Sequence, residues 1–270
     1  MGHSPAEVTA VVPARNAGHL LPRCLGALRE SGLAEIIVVD GCSTDRTVDL
    51  ALAAGARVLS DEGRGLPWAR TLGVQSSSTH WVLLVDADVV FGPTGVADLL
   101  TELLDDGYDA LQAGLESVAG PGYWGQALAH HHRTGRSRNW FGLVATLVDR
   151  ELMLGVGFDD TFKSGEDIEL RWRMRESGLR TAVSRRVVVE HRFAGDDFAF
   201  ALDQFLMDGT GLGRMIRKHG WHGAKLVLLP VAAAVRGSAL SLAEGQPRWL
   251  RYYFAFCWYN YVGMARGLAS

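Results

Sequence analysis

"EIIVVDGCSTDRTVDLALAAGARVLS", residues 35–60, decides the fold. "EIIVVD" is an apolar run ending on Asp40, the pattern of a buried strand. "STDRTVDLALAAGA" follows, with Ser43 or Thr44 as a natural helix N-cap and Gly55 as the stop. "ARVLS" is again strand-like. The same alternation extends both ways. Upstream, "VTAVVPARN" opens with a strand over Val8 to Val12 that stops at Pro13. A helix then places Leu20, Leu21, Cys24, Leu25 and Leu28 on one face and closes near Gly32. Downstream, "GLPWARTLGVQSS" reads as a helix and "HWVLLVD" as a fourth strand. Short apolar strands alternating with helices predict an α/β fold, a mostly parallel sheet flanked by helices.

In such a sheet, ligands bind at the carboxyl ends of the strands. Those ends carry Pro13-Ala14-Arg15, Asp40-Gly41-Cys42 and Asp86-Ala87-Asp88. The last group is the most telling. Asp86 and Asp88 are two residues apart, directly after the apolar "WVLLV", and can turn toward the same crevice. Two close carboxylates repel unless a cation sits beside them. Mg²⁺ or Mn²⁺ prefers hard oxygen ligands and shares its shell with substrate phosphates, so the pair points to a metal–diphosphate site. The plain alternative is a solvated turn.

After residue 92 the pattern is mixed. "TGVADLLTELLDD" is a helix and "YDALQAGLESV" a strand. "GYWGQALAHHHRTGRSRN" is a helix running into a polar loop, and "GLVATLVDREL" is strand-like. "GEDIELRWRMRESG" is a helix that puts Glu166 and Asp167 at its start, where the dipole favours anions; N-terminal dipole compensation alone would explain them. "RTAVS" and "RVVVEHRF" read as two strands, the second ending near His191. A histidine there is a packed residue, or a metal ligand if it faces the crevice. "HHH" at 130–132 is expected at a polar helix end, because consecutive helical residues point about 100° apart and cannot share an ion. Arg133, Arg136 and Arg138 could face an acidic acceptor or a diphosphate. Arg171, Arg173 and Arg175 read mostly as a solvated face.

The chain has 270 residues, 48% hydrophobic and 21% charged, with net charge −3. That is globular composition. It excludes nucleic-acid binding driven by bulk charge. Cys24, Cys42 and Cys257 are odd in number and lack zinc spacing, as expected of reduced thiols in a cytoplasmic chain. The N-terminus shows no signal-peptide pattern. The run Leu226 to Val235 is too short for a bilayer span and is expected as a buried helix, with a surface-lying membrane contact as the sharper alternative. From Gly195 onward the chain reads as helical and rich in aromatic residues. That gives a catalytic region over 1–194 and a helical C-terminal region over 195–270. The aromatic residues are expected to pack on the catalytic region or form a homodimer interface. A peripheral contact with the inner face of the membrane is the third reading.

"VVPARN", "IIVVDGCSTDRT", "GRGLPWARTLGV", "LLVDADV", "GFDDTFKSGEDIELRWRMRESG" and "VVVEH" occur in the order found in family 2 glycosyltransferases of the GT-A fold, and the chain resembles that family over about residues 8–193. The resemblance implies a UDP-sugar donor, with glucose or N-acetylglucosamine expected from family frequency. It places Pro13, Arg15 and Asp40 around the nucleoside, Arg70 near the base or phosphates, and Asp86 near the ribose. Asp88 would hold Mn²⁺ or Mg²⁺ on the diphosphate, joined by His191. Asp167 would be the general base, with Glu166 toward the hydroxyl acceptor. Gly41 stands where many members have a carboxylate. The "QxxRW" element of processive synthases is absent, since Ile168 lies three before Arg171, which implies transfer of one sugar. A carboxylate base, a metal-held diphosphate leaving group and in-line attack make one inverting step. The competing expectations are a sugar-1-phosphate nucleotidyltransferase, disfavoured by the lack of a Gly-rich loop after the first strand, and a catalytically silent nucleotide-sugar-binding scaffold.

Overall fold

The computed structural model describes residues 4–134, 141–162 and 164–270. They form two compact units. The first comprises Met1–Glu116, Asn139–Asp160 and Leu170–Arg192; the second comprises Ser117–Arg138, Thr161–Glu169 and Phe193–Ser270.

In chain order the elements are β1 (Val8–Ala14), α1 (Leu21–Glu30), β2 (Glu35–Asp40), α2 (Thr47–Ala53), β3 (Arg57–Ser60), α3 (Leu66–Ser76), β4 (Trp81–Val85), β5 (Val89–Val90), α4 (Gly95–Asp106) and β6 (Ala110–Val118). There follow α5 (Tyr123–Thr134), β7 (Ala145–Asp149), α6 (Arg150–Val156), α7 (Glu166–Glu176), β8 (Thr181–Arg192), α8 (Phe198–His219), α9 (Leu229–Ala243) and α10 (Leu250–Ala269).

The first unit is built on one eight-stranded sheet in the order β3-β2-β1-β4-β7-β6-β8-β5. β1, β2, β3 and β4 pair in parallel, and antiparallel pairs β4–β7, β6–β7 and β5–β8 extend the sheet. Side chains alternate across it. Val8, Ala10, Val12, Leu83 and Val85 join one core with Leu21, Leu25 and Leu28 of α1 and Leu99, Leu100 and Leu103 of α4. Val11, Ile37, Val39, Val82 and Leu84 join the other with Ala69 and Val74 of α3, Met153 of α6, and Leu170 and Met174 of α7. Both faces are covered, which explains why these strands read as unbroken apolar runs.

Four local expectations change. β1 runs through Pro13 to Ala14, because its pairing with β4 ends at Val11 while its pairing with β2 continues to Ala14↔Asp40; the missing N–H costs no rung to β4. α2 starts at Thr47, not after Ser43 or Thr44. Those residues instead tie down the loop after β1: Ser43 Oγ accepts from Asn16 N at 2.9 Å, and Thr44 N donates to Asn16 Oδ1 at 2.8 Å. The strand β7 stops at Asp149, whose carboxylate accepts from Leu152 N at 2.9 Å and caps α6. "RTAVS" and "RVVVEHRF" are one strand, β8, and Ser184 Oγ inside it accepts from the backbone N of Arg186 (3.1 Å) and Val187 (2.8 Å).

The second unit is helical. α8 and α10 cross closely through glycines: a Cβ at Gly209 would lie 2.0 Å from Asn260 O, and one at Gly267 would lie 2.1 Å from Thr210 O. Trp124, Phe205, Trp249, Tyr252, Tyr253 and Phe256 form its core, packing on one another within this unit. The "HHH" expectation is corrected. His130 is buried, stacks on Trp249 and reaches Glu244 at 3.0 Å. His131 packs against Tyr252, Tyr253 and Phe256, and burial together with the charges of His130 and Arg236 pushes its pKa down to about 4. The helix end turns inward because α10 supplies an aromatic surface for the rings. Arg136 and Arg138 lie outside the described residues; Arg133 is exposed.

The expectation for Leu226 to Val235 also changes. α9 buries only a small-residue stripe, Pro230, Ala234, Gly237 and Ser241, and exposes its larger apolar side chains. By length and composition, Ala224–Ala243 is apolar enough to cross a membrane. The stretch is longer than the apolar run because it takes in Lys225 and Arg236 and continues through Gly, Ser, Ala and Leu, which add no further charge.

Candidate functional site

At the carboxyl end of β2, the Asp40 carboxylate is buried and accepts from Ser43 N at 3.1 Å through Oδ2. Arg15 follows β1 and is exposed. Gly41 makes room for it: a Cβ there would stand 3.2 Å from Arg15 Cβ. The residue that departs from the common family pattern is thus the one that lets the Arg15 stem pass.

After β3 the chain turns on Asp61, which sequence reading missed. Its carboxylate is buried and accepts from Gly63 N (2.7 Å) and Gly65 N (3.0 Å), fixing the glycine-containing turn that starts α3. The signal was present in "DEGRG", an Asp followed by two glycines, the usual composition of a side-chain-closed turn. In the same loop Arg64 lies over the Trp68 ring at 3.4 Å.

One turn into α3, Arg70 is 3% exposed, and its Nη2 donates to Asp86 Oδ1 at 2.8 Å. This pair joins two predicted donor-site residues. Burial raises the Asp86 pKa, Arg70 lowers it and Asp88 raises it again; the net direction is upward.

The strand β5 explains how Asp88 meets His191. Val89 pairs with His191 and Val90 with Glu190, antiparallel, and Arg192 N donates to Asp88 O at 2.9 Å. This register sets His191 Nε2 at 3.3 Å from Asp88 Oδ2. Burial disfavours the imidazolium, but the hydrogen bond and the charges of Asp88 and Asp86 outweigh it and raise the His191 pKa. Asp88 Oδ1 is buried and has no hydrogen-bond partner among the described residues. No group of three or more His, Cys, Asp or Glu side chains poised for an ion occurs among the described residues. Asp88 and His191 would supply two ligands, and a cation held there needs further oxygens from elsewhere, as Mg²⁺-type sites take from phosphates and water. The donor set, one carboxylate oxygen lacking a donor beside one imidazole, fits a divalent cation.

In the second unit, Glu166 and Asp167 stand in the first turn of α7; Glu166 is buried. Two residues on, Glu169 is fully buried and paired with Lys218 Nζ at 2.6 Å. Asp208 on α8 lies within Coulombic reach of Asp167; solvent reaches its side chain, but partial loss of hydration, the larger cause, and that charge raise its pKa to about 7. Neither Glu169 nor Asp208 was legible as special in sequence, since both depend on which face of α8 meets the start of α7. In the first unit, Arg173 turns back to donate to the carbonyl of Gly157 at 2.9 Å, so one of the three α7 arginines is not part of a solvated face.

Comparison with known proteins adds to this geometry. The family profile described as Glycosyl transferase family 2 matches residues 9–157. The succinoglycan biosynthesis protein ExoU of Rhizobium meliloti is 26% identical over 209 residues, covering 66% of this chain and 59% of ExoU. The uncharacterized glycosyltransferase Mb0553 of Mycobacterium bovis is 31% identical over 181 residues, covering 64% of this chain and 81% of that protein. Among solved structures, the mannosyltransferase PcManGT from Pyrobaculum calidifontis in complex with GDP-Man and Mn²⁺ matches with a TM-score of 0.66 at 18% identity, over 98% of this chain and 88% of that one. S. aureus TarS 1–349 in complex with UDP-GlcNAc matches with a TM-score of 0.59 at 16% identity, over 88% of this chain and 74% of that one. These structural likenesses are of fold. The chain spans between 22% and 59% of the length of the first curated relatives it matches.

Proposed function

Because the chain belongs to glycosyl transferase family 2 and has the GT-A fold, we propose that it transfers one sugar from a nucleotide-diphosphate sugar to a hydroxyl acceptor, with inversion. The observation that carries this reading is the orphaned, buried Asp88 Oδ1 beside His191, at the ligand end of the sheet. Asp88 and His191 would hold Mn²⁺ or Mg²⁺. The ion's contribution is to offset the charge that the leaving diphosphate gains. Mn²⁺ accompanies the donor in the PcManGT complex, which supports the choice of a divalent ion.

The chain's own groups divide the remaining work. Arg70 is buried against Asp86 and fixes that carboxylate, which then faces the ribose. Asp40, Pro13 and Arg15 surround the nucleoside. Asp167 takes the proton of the attacking hydroxyl, a role supported by its place in the "GEDIEL" motif, and Glu166 orients the acceptor. The donor is a UDP-sugar, glucose or N-acetylglucosamine; the UDP-GlcNAc bound to TarS supports the latter, and the GDP-Man bound to PcManGT makes GDP-mannose the competing donor. Three free cysteines support a reaction in the cytoplasm.

The test is hydrolysis or transfer across a panel of UDP- and GDP-sugars, with Mn²⁺, Mg²⁺ or chelator. The expected result is turnover of one donor that stops in chelator. Absence of binding to every nucleotide sugar at any metal concentration overturns the reading.

A further inference from the structure

α9 is amphipathic in the inverted sense. Its inward stripe is small: Ser241 Oγ donates to Gly237 O, and Gly237 lies so close to the Tyr253 ring that a Cβ would stand 2.1 Å from it. Its outward face is large and apolar. Leu228 just before the helix is 64% exposed, Val235 64% and Leu242 57%, and Trp221 in the preceding 3-10 turn is 88% exposed. Folding leaves these side chains in water, where an apolar patch marks a surface with a partner.

Charge identifies the partner. From Gly209 to Ala243 the sequence carries five Lys or Arg and no Asp or Glu; Lys218 is neutralised by Glu169, so the charge at the apolar face comes from Lys225 and Arg236. Lys225 and Arg236 border the exposed apolar positions and are themselves exposed. Two copies of this segment face to face would bring like charges together, whereas an anionic lipid surface answers both the cations and the apolar side chains. An indole at 88% exposure suits the headgroup level. Crossing the bilayer would require lipid on every side of α9, but its small-residue stripe is already covered within its own unit.

We propose that α9 and the turn before it form a surface that docks in the plane of an anionic phospholipid bilayer, with Leu228, Val235 and Leu242 entering the interface and Lys225 and Arg236 meeting phosphate headgroups. Binding of this kind is independent of the transfer reaction.

The experiment is co-sedimentation of the full chain with vesicles of phosphatidylglycerol and phosphatidylcholine, or of phosphatidylcholine alone, at low and high salt. Expected is sedimentation with the anionic vesicles at low salt, a lower bound fraction at high salt, and little with neutral vesicles. The double variant Leu228→Glu and Val235→Glu should lower the bound fraction about tenfold while its circular dichroism melt stays that of the wild type. No sedimentation of the wild-type chain with anionic vesicles at low salt overturns the proposal, whatever the variant does. So does equal binding by the folded double variant, or a dimer on gel filtration that the double variant dissolves without any vesicle binding.

Discussion

The two oxygens of Asp88 have different surroundings: Oδ2 faces His191 at 3.3 Å, while Oδ1 is buried without a donor. A buried polar atom left unsatisfied costs about 1–3 kcal/mol, and more when charged. A cation would remove that cost, while the pairing of Oδ2 with His191 favours the folded state without metal. Asp88→Asn, which keeps an acceptor for His191, is therefore expected to melt no lower than wild type in chelator, yet to lose at least about tenfold in Mn²⁺-dependent UDP affinity by calorimetry. Lower stability in chelator would mean that the carboxylate is structural. Asp167→Asn is expected to keep UDP–Mn²⁺ affinity and to lower transfer by about 10²- to 10⁴-fold. Normal transfer would remove Asp167 as the base. Asp208 gives a pH prediction. Its folded pKa of about 7 lies above the unfolded value of about 4, so the folded chain keeps a proton that the unfolded chain releases. The group therefore lowers stability as pH rises from about 4 to 7, and the loss stays in full above that. Solvent reaches the Asp208 side chain, and screening reduces the effect. Asp208→Asn should raise the melting temperature at pH 8 and leave it unchanged at pH 4; a gain at both would show that charge is not the cause. Of these residues, motif and position single out Asp88 and Asp167 as candidates in the sequence. They do not single out Asp208, because nothing local marks a mid-helix aspartate whose neighbour lies over forty positions back.

Among the elements, α8 and α10 show how strongly a close crossing constrains sequence. With carbonyl oxygens about 2 Å from a Cβ at Gly209 or Gly267, any side chain forces the helices apart. Gly267→Ala is expected to cost about 1–3 kcal/mol in chemical denaturation, the usual price of overpacking. Gly26 is the control. It sits exposed on α1 with nothing within 4 Å of an added Cβ, so Gly26→Ala should stabilise by about 0.4–1 kcal/mol through the unfolded chain. If both substitutions destabilise alike, helix–helix contact is not the reason. The strands of the parallel half were legible because a strand covered on both faces must be apolar along its length. The two-residue β5 was not, since nothing in "VV" announces an antiparallel partner a hundred residues later; yet it is this pairing that brings His191 to Asp88.

For the whole molecule, a ligand bound only by the folded state stabilises it by RT ln(1 + [L]/Kd), about 2.7 kcal/mol at a hundredfold excess over Kd. UDP with Mn²⁺ should thus raise the melting temperature, and chelator should abolish the rise; a rise that persists in chelator would detach the nucleotide site from the metal. The net charge of −3 averages over a basic, acid-free stretch and an acidic remainder. Averages of this kind hide patches, and only the folded chain shows which residues share a surface. By itself the sequence determined the α/β alternation, the polar strand ends and the order of six motifs, because strand and helix periods and short motifs are local and need no partner. Tertiary structure alone decided that Arg70 holds Asp86, that β5 aligns His191 with Asp88, that His130 is buried and His131 packs among aromatic rings, and that α9 turns its apolar face outward. Each depends on which surfaces far apart in sequence meet, and a helix with small residues on one side and large ones on the other gives no local sign of which side the protein covers.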